Sequence, residues 1–253
     1  MSKRVIVGAM VAVAVACVGA STAAAAPGGG FAVFAQCPVH ASGVKGCLYA
    51  RVEGGYLVFG KTVVPIAKAM VLQGGFLEES EGVKPLVAAL DGETLERVGQ
   101  ALPGGLFGRS LDAVTELAAP AGSILVGTGS NGAGLGLVLP IKVRLVNPLL
   151  GAGCSIGSSS RPIELSLTSE TSGGLTGNPG QTTSIEGGEI LVKTGVSLVS
   201  SGFAVPKVVG CGSALVEEAV DAKLGLPLSK NTTAAFDMKV ETAGHNAIEE
   251  AEG

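Results

Sequence analysis

Two short runs of strict alternation constrain this chain more than anything else in it. Ile141, Val143 and Leu145 alternate with Lys142 and Arg144, and Ile163, Leu165 and Leu167 alternate with Glu164 and Ser166. A period of two puts the apolar set on one face of an extended strand and the polar set on the other. Between the runs lie Pro148, Gly151, Gly153 and Cys154, residues that turn a chain and tie it down. Such a sequence has to build a sheet with one wet face and a cysteine fixed at its turn.

Composition carries that demand to the whole chain. Of 253 residues, 40 are glycine and 12 proline, there is no tryptophan, and hydrophobic residues make up 47% against 15% charged. This is enough apolar material for a sizeable core, which excludes global disorder. Many glycines between short Val/Leu runs predict many turns between short strands. A net charge of −4 with scattered basic residues gives no footprint for nucleic acid, so no nucleic-acid partner is expected.

Residues 1–25 read as a signal peptide. Ser2-Lys3-Arg4 is basic, Val5 to Val18 is apolar but short for a membrane span, and Ala23-Ala24-Ala25 offers a cleavage site after Ala25, with cleavage after Ala23 the alternative. Ala14-Val15-Ala16-Cys17 loosely resembles a lipobox, but Ala14 is a poor first residue, so Cys17 is assigned to the discarded leader. No other run is long and apolar enough for a transmembrane helix, which predicts a secreted or cell-surface chain. Four cysteines remain: Cys37, Cys47, Cys154 and Cys211. An even count in an exported chain predicts disulfides. Three pairings are possible. The local bridge Cys37–Cys47 closes a loop with Pro38, Gly43 and Gly46, and leaves Cys154–Cys211. The spacings lack the close cysteine pairs of a zinc site, and only His40 and His245 could help, so no metal is expected.

Along the chain, residues 31–75 read as a β-meander turned at Glu53-Gly54-Gly55 and Gly60-Lys61, with Pro65 at an edge. Residues 83–120 read as a helical insertion. Leu95, Val98, Ala101 and Leu102 have helical spacing up to Pro103-Gly104-Gly105, and Ser110 would cap a helix over Leu111 to Ala118. Strands resume after Gly122. Ser213 to Leu224 reads as one late helix, capped by Ser213 and stopped by Gly225 and Pro227. Residues 242–253 read as an acidic, fraying tail. Within the mature chain, residues 26–241 are then one disulfide-stabilised, mainly β domain, an antiparallel sandwich or irregular barrel.

Several motifs invite chemistry. Gly153-x-Ser155-x-Gly157 matches a nucleophile elbow, with Asp221 or Asp237 and then His245 in tolerable order. An elbow needs a strand-to-helix turn, and Ser158-Ser159-Ser160-Arg161-Pro162 leads instead into an alternating strand. Gly127-x-Gly129-x-x-Gly132 matches a dinucleotide loop, but a glycine-broken, β-like run follows it and no acidic residue comes before Glu164. Glu78, Glu79 and Glu81 lack a calcium-loop pattern, Glu53 and Asp91 lack a carboxylate partner, and Asn231-Thr232-Thr233 is a formal glycosylation sequon. No catalytic residue and no cofactor are assigned.

The chain resembles a family of exported actinobacterial proteins of unknown function. The likeness lies in Phe34-x-x-Cys37-Pro38, Cys47, Gly54-Gly55, Val64-Pro65-Ile66 and Leu72-Gln73-Gly74-Gly75. It continues in Leu145 to Gly151, Cys154 to Ser158, Pro162-Ile163, Phe203 to Pro206, Gly210-Cys211-Gly212, Lys223 to Pro227 and Asn231-Thr232. The resemblance implies that the position after the central cysteine is often aromatic, so Ser155 is no shared nucleophile, and it brings no activity with it. The expectation is therefore an exported, non-enzymatic cell-envelope or secreted protein that binds or associates through its surface. A hydrolase using Ser155 is the alternative, and an envelope pore a lower one. Scarce aromatic residues speak against the pore.

Overall fold

In the computed structural model both alternating runs are strands of one sheet, and they meet at their starts: Ile163 lies opposite Ile141, from which the second run pairs back along Leu139 and Leu137, while Ile141 to Leu145 pairs Leu117 to Ala113. The structure describes residues 27–77, 83–127 and 134–253. The strands are β1 (Val44–Phe59), β2 (Thr62–Pro65), β3 (Met70–Leu77), β4 (Val83–Val87), β5 (Gly99–Ala101), β6 (Asp112–Leu117), β7 (Leu125–Gly127) and β8 (Gly136–Val146). After them come β9 (Ser155–Ile156), β10 (Ile163–Thr168), β11 (Thr171–Ser172), β12 (Leu175–Thr176), β13 (Gln181–Ile185), β14 (Ile190–Ser201), β15 (Val208–Val209) and β16 (Thr232–Gly244). Two α-helices, α1 (Ala214–Leu224) and α2 (His245–Glu252), accompany them.

The fold is mainly β and antiparallel, with few helices, one of them the expected late helix. Strands β10, β14, β16, β1, β3, β4, β7 and β8 pair in that order, and β8 pairs back to β10, which closes a ring. The ring is irregular rather than a clear barrel. Its interior is filled. Leu48, Ala50 and Val52 from β1, Leu137, Leu139 and Ile141 from β8, and Phe236 and Met238 from β16 share one apolar core. Eight strands leave an interior about wide enough for side chains to fill. The small void bounded by Leu48, Leu72, Leu137, Leu198 and Met238 is about 30 Å³. The outward set carries the charges: Arg51, Lys142, Arg144, Glu164 and Asp237.

Strand β8 organises the molecule. Its first half, Gly136 to Ile141, lies between β7 and β10 inside the ring, and its second half pairs β6 and β9 beyond it. Strand β15 joins β9, and α1 follows. The α1 boundaries agree with its sequence signals. The Ser213 hydroxyl accepts the Val216 N–H at 3.4 Å, and Gly225 takes a left-handed φ of 73°.

Two expectations are corrected. The segment 83–120 is not helical. Leu111, Val114 and Leu117 do have helical spacing, but Asp112–Leu117 is a strand paired from Asp112 opposite Val146 to Leu117 opposite Ile141. The β-branched Val114 and Thr115 favour extended backbone, and the long edge of β8 decides the matter. Glu93 to Leu102 is likewise extended. The Glu96 N–H donates to the Val71 carbonyl, and the buried Gln100 side chain receives the Ala67 and Lys68 N–H groups. Nor does the tail fray. Strand β16 runs to Gly244, and α2 packs Ile248, fully buried, against Phe31, Phe34, Val39 and Ile190.

Candidate functional site

Both predicted bridges are present, Cys37–Cys47 and Cys154–Cys211. They close opposite ends of the ring. Strands β1 and β8 stand four antiparallel pairings apart and so run in the same direction. Cys47 lies near the start of β1, and the second bridge lies beyond the end of β8.

Ser155 sits in β9 between Arg144 of β8 and Val209 of β15, a strand position with no helix after it. It is buried, and its hydroxyl donates to the Gly157 carbonyl at 2.9 Å. Its sequence partners lie elsewhere. The Asp221 carboxylate accepts the Val208 N–H at 2.9 Å, Asp237 faces solvent on β16, and His245 opens α2 at the other end. The structure therefore does not gather the Ser155, Asp and His set.

The other singled-out residues have local duties. The Asp91 carboxylate accepts the Glu93 N–H, Glu53 lies 3.8 Å from Arg51, and Asn231 adopts φ 57° in a turn. The acidic cluster Glu78, Glu79 and Glu81, and the glycine motif beyond Gly127, lie outside the described residues. Among the described residues, no group of three or more His, Cys, Asp or Glu side chains is placed to hold a metal ion.

What the sequence did not disclose is where the two histidines meet. His40, in the loop closed by Cys37–Cys47, directs Nδ1 to Glu249 at 3.2 Å and Nε2 to Glu252 at 2.9 Å. His245 directs Nε2 to the other oxygen of Glu249 at 3.1 Å. Both histidines of the chain thus converge on one carboxylate of α2. They form one wall of a cleft of about 940 Å³, which Lys45, Phe76, Lys84, Glu189 and Glu250 also line. The Lys84 ammonium stands 4.7 Å from the centre of the Phe76 ring. The cleft holds cations and carboxylates together. A weak signal was available in the acidic Glu249-Glu250-Ala251-Glu252 run, but its partner lies near the other terminus.

The opposite end is built differently. The Asn147 side chain donates to the Ser110 carbonyl at 2.7 Å and accepts the Leu149 N–H at 2.9 Å. One amide thus fastens the loop before β6 to the turn after β8. The Gly151 N–H donates to the Cys211 carbonyl, next to the bridge itself. The loop 103–111, the turn 147–153 and the connection from β15 into α1 thus meet at this end, where the Glu217 carboxylate also accepts the Gly210 and Cys211 N–H groups.

Charge is ordered nearby. Glu116 on β6 meets Arg144 at 2.6 Å and Lys142 at 3.4 Å across β8. Burial raises its pKa, but the hydrogen bonds and charges of Arg144 and Lys142 outweigh that and hold the carboxyl below its ordinary value. No family model, curated protein or solved structure matches this chain.

Proposed function

We propose that this is an exported protein of the cell envelope, of the actinobacterial kind its motifs resemble, which acts by non-covalent binding at its surface. The observation that carries the reading is the pair of disulfides, one closing each end of the ring. Such bridges persist in oxidising compartments and are rare where thiols are kept reduced. Among the described residues no helix is long and apolar enough to cross a membrane, and the bridges fit an extracellular protein. The leader-like segment 1–25 supports export from the sequence side.

Support for binding rather than covalent chemistry comes from Ser155, whose hydroxyl is buried and engaged with Gly157. Support against the pore comes from an interior packed with apolar side chains and an outward face that carries charges. The cleft beside α2 is the concave surface best equipped for a charged small ligand, with Lys45, Lys84, Glu189 and Glu250 in its lining.

The test is fractionation of the source cells with intact mass measured without reduction. The expected product lacks residues 1–25, carries no thiol that maleimide can label, and sits in the wall or culture fraction. A full-length, thiol-reactive chain in the cytoplasm overturns the reading. Labelling of the folded protein by a fluorophosphonate, lost in Ser155→Ala, would overturn its non-enzymatic part.

A further inference from the structure

The run Gln181-Thr182-Thr183-Ser184-Ile185 contains no charge and no proline, and three of its five residues are β-branched, which favours extended backbone. It forms β13, which pairs β14 along one edge, from Gln181 opposite Thr194 to Ile185 opposite Ile190, without a bulge. Among the described residues no strand pairs its other edge, and all five residues are exposed. A free edge presents N–H and C=O groups at strand spacing, and proteins guard it with a charge, a proline, a bulge or brevity. The other free edges follow that rule. Strand β2 contains Pro65, β5 has three residues, and β11, β12 and β15 have two each. Strand β10, beyond its one pair with β14, carries Glu164. Strand β13 has none of these devices.

Apolar surface lies beside this edge. Nine large hydrophobic side chains are exposed among the described residues. Five of them lie at the Cys154–Cys211 end, among them Phe107 at a left-handed φ of 50°. Two of the other four, Ile185 and Leu191, belong to the β13–β14 hairpin, Leu191 standing opposite Ser184. The charges around the hairpin are placed back from the edge. The Lys193 ammonium, on β14, donates to the Thr182 hydroxyl at 2.8 Å. Glu186, in the turn, accepts the Gly30 N–H at 2.7 Å, and Glu189 lines the cleft beside α2.

We propose that β13 pairs with β13 of a second copy of this chain, antiparallel about a twofold axis at Thr183, so that one sheet continues through both rings. Donors and acceptors at strand spacing are answered in full by another extended backbone. This edge suits its own copy in particular. With the axis at Thr183, Thr183 faces itself, Thr182 faces Ser184 of the second copy, and Gln181 faces its Ile185. Hydroxyl pairs of this kind are favourable across strands. A strand of another protein requires no such match of the edge with itself. Charge agrees with the same axis. On strand spacing the Lys193 Cα stands roughly 12 Å from that of Glu186 of the second copy and roughly 16 Å from that copy's Lys193. The two Glu186 residues stand roughly 20 Å apart. Opposite charges are therefore nearer than like ones, and the twofold closes the assembly at two chains. The inference goes beyond the reading of the protein as an exported binding protein and holds whether or not that reading does.

The experiment is sedimentation equilibrium of the mature, oxidised protein from about 10 μM to about 1 mM, the range in which an edge contact of this size associates. The mean mass is expected to rise from one chain towards two and no further. Thr183→Lys and Thr183→Glu each set like charges opposite one another on the axis, and each is expected to weaken association by about tenfold or more. Thr183 is exposed, so the thermal melt of either variant in dilute solution should match wild type, which separates lost pairing from lost folding. An equimolar mixture of the two variants sets lysine opposite glutamate and is expected to recover the dimer. A wild type that stays monomeric throughout overturns the proposal and leaves the edge to a strand of another protein. A dimer that survives both substitutions overturns it as well, because its interface then lies elsewhere, as at the apolar end around Phe107. A mixture that stays monomeric overturns the axis at Thr183.

Discussion

Each end of the ring is closed by a disulfide, and the two ends are finished in opposite ways. Around Cys37–Cys47 the apolar side chains are roofed over. Phe31, Phe34, Val39 and Ile248 cover the bridge, and His40, His245, Glu249 and Glu252 form a polar shell outside them. Around Cys154–Cys211 apolar side chains such as Phe107, Leu149 and Leu215 are turned outward, and the Glu217 carboxylate is spent on the Gly210 and Cys211 N–H groups beside the bridge. Burial explains the first arrangement by itself. It does not explain the second, in which Leu102, Leu106 and Leu111 already fill the core and Phe107 is left over. A leftover apolar side chain on a strained backbone calls for an explanation beyond stability.

The largest effect should separate the bridges themselves. Cys154–Cys211 spans 57 residues and Cys37–Cys47 spans 10. On the chain-entropy model the longer loop restrains the unfolded chain more, by 1.5RT ln(57/10), about 1.5 kcal/mol. The double change Cys154→Ala/Cys211→Ala should therefore cost about 3–5 kcal/mol in urea unfolding, and Cys37→Ala/Cys47→Ala measurably less. Equal losses would show that the roof over the first bridge depends on it more than loop length implies.

Next is the roof. Ile248 is fully buried on α2, so Ile248→Ala should cost about 2–4 kcal/mol and raise amide exchange along the end of β16. The acidic sequence of this segment suggests a free tail, for which the same change would cost nothing. One unfolding curve decides between them.

The third effect concerns charge beside the bare end. Arg144 and Lys142 hold the Glu116 carboxyl below its ordinary value against the opposing effect of burial. A carboxylate with a depressed folded pKa stabilises the fold above its unfolded pKa, and that contribution is lost as pH falls through the folded value. Glu116→Gln should cost about 1 kcal/mol at neutral pH, and less and less as the solution is acidified below the ordinary value of 4.5. An unchanged gap between variant and wild type at low pH would mean that Glu116 contributes packing and not charge.

These tests also show what could be read in the chain beforehand. The strands at Ile141 and Ile163 were legible because alternation over five residues has one simple meaning when both runs find partners. Helix α1 was legible because Ser213 and Gly225 fix its ends locally. The bridges followed from cysteine count and from the short loop between Cys37 and Cys47. Leu111, Val114 and Leu117 misled because three apolar positions within seven residues suit a helix turn as well as a six-residue strand. The choice is made by β8, which lies far along the chain. Ile248 was hidden among glutamates, and its pocket is built by Phe31 and Phe34 near the other terminus. The His40–Glu249 contact is long-range in the same way. Ser155 looked chemical because glycine-rich turns imitate an elbow. Only the strand pairing on both sides of it shows where its hydroxyl points.

Phe107 should give the smallest change in stability and the most informative one. A non-glycine residue in left-handed backbone costs roughly 1–2 kcal/mol, and asparagine tolerates that region better than phenylalanine. Replacing a half-exposed phenylalanine forfeits some burial, so the two effects oppose each other. Phe107→Asn should hold stability or raise it by up to about 1 kcal/mol in thermal unfolding, where a buried phenylalanine would lose several. A gain in stability is the pattern of a residue whose strained backbone costs more than its packing returns. A clear loss of stability would instead make Phe107 a packing residue, and the two ends of the ring would then differ only in how well they are covered.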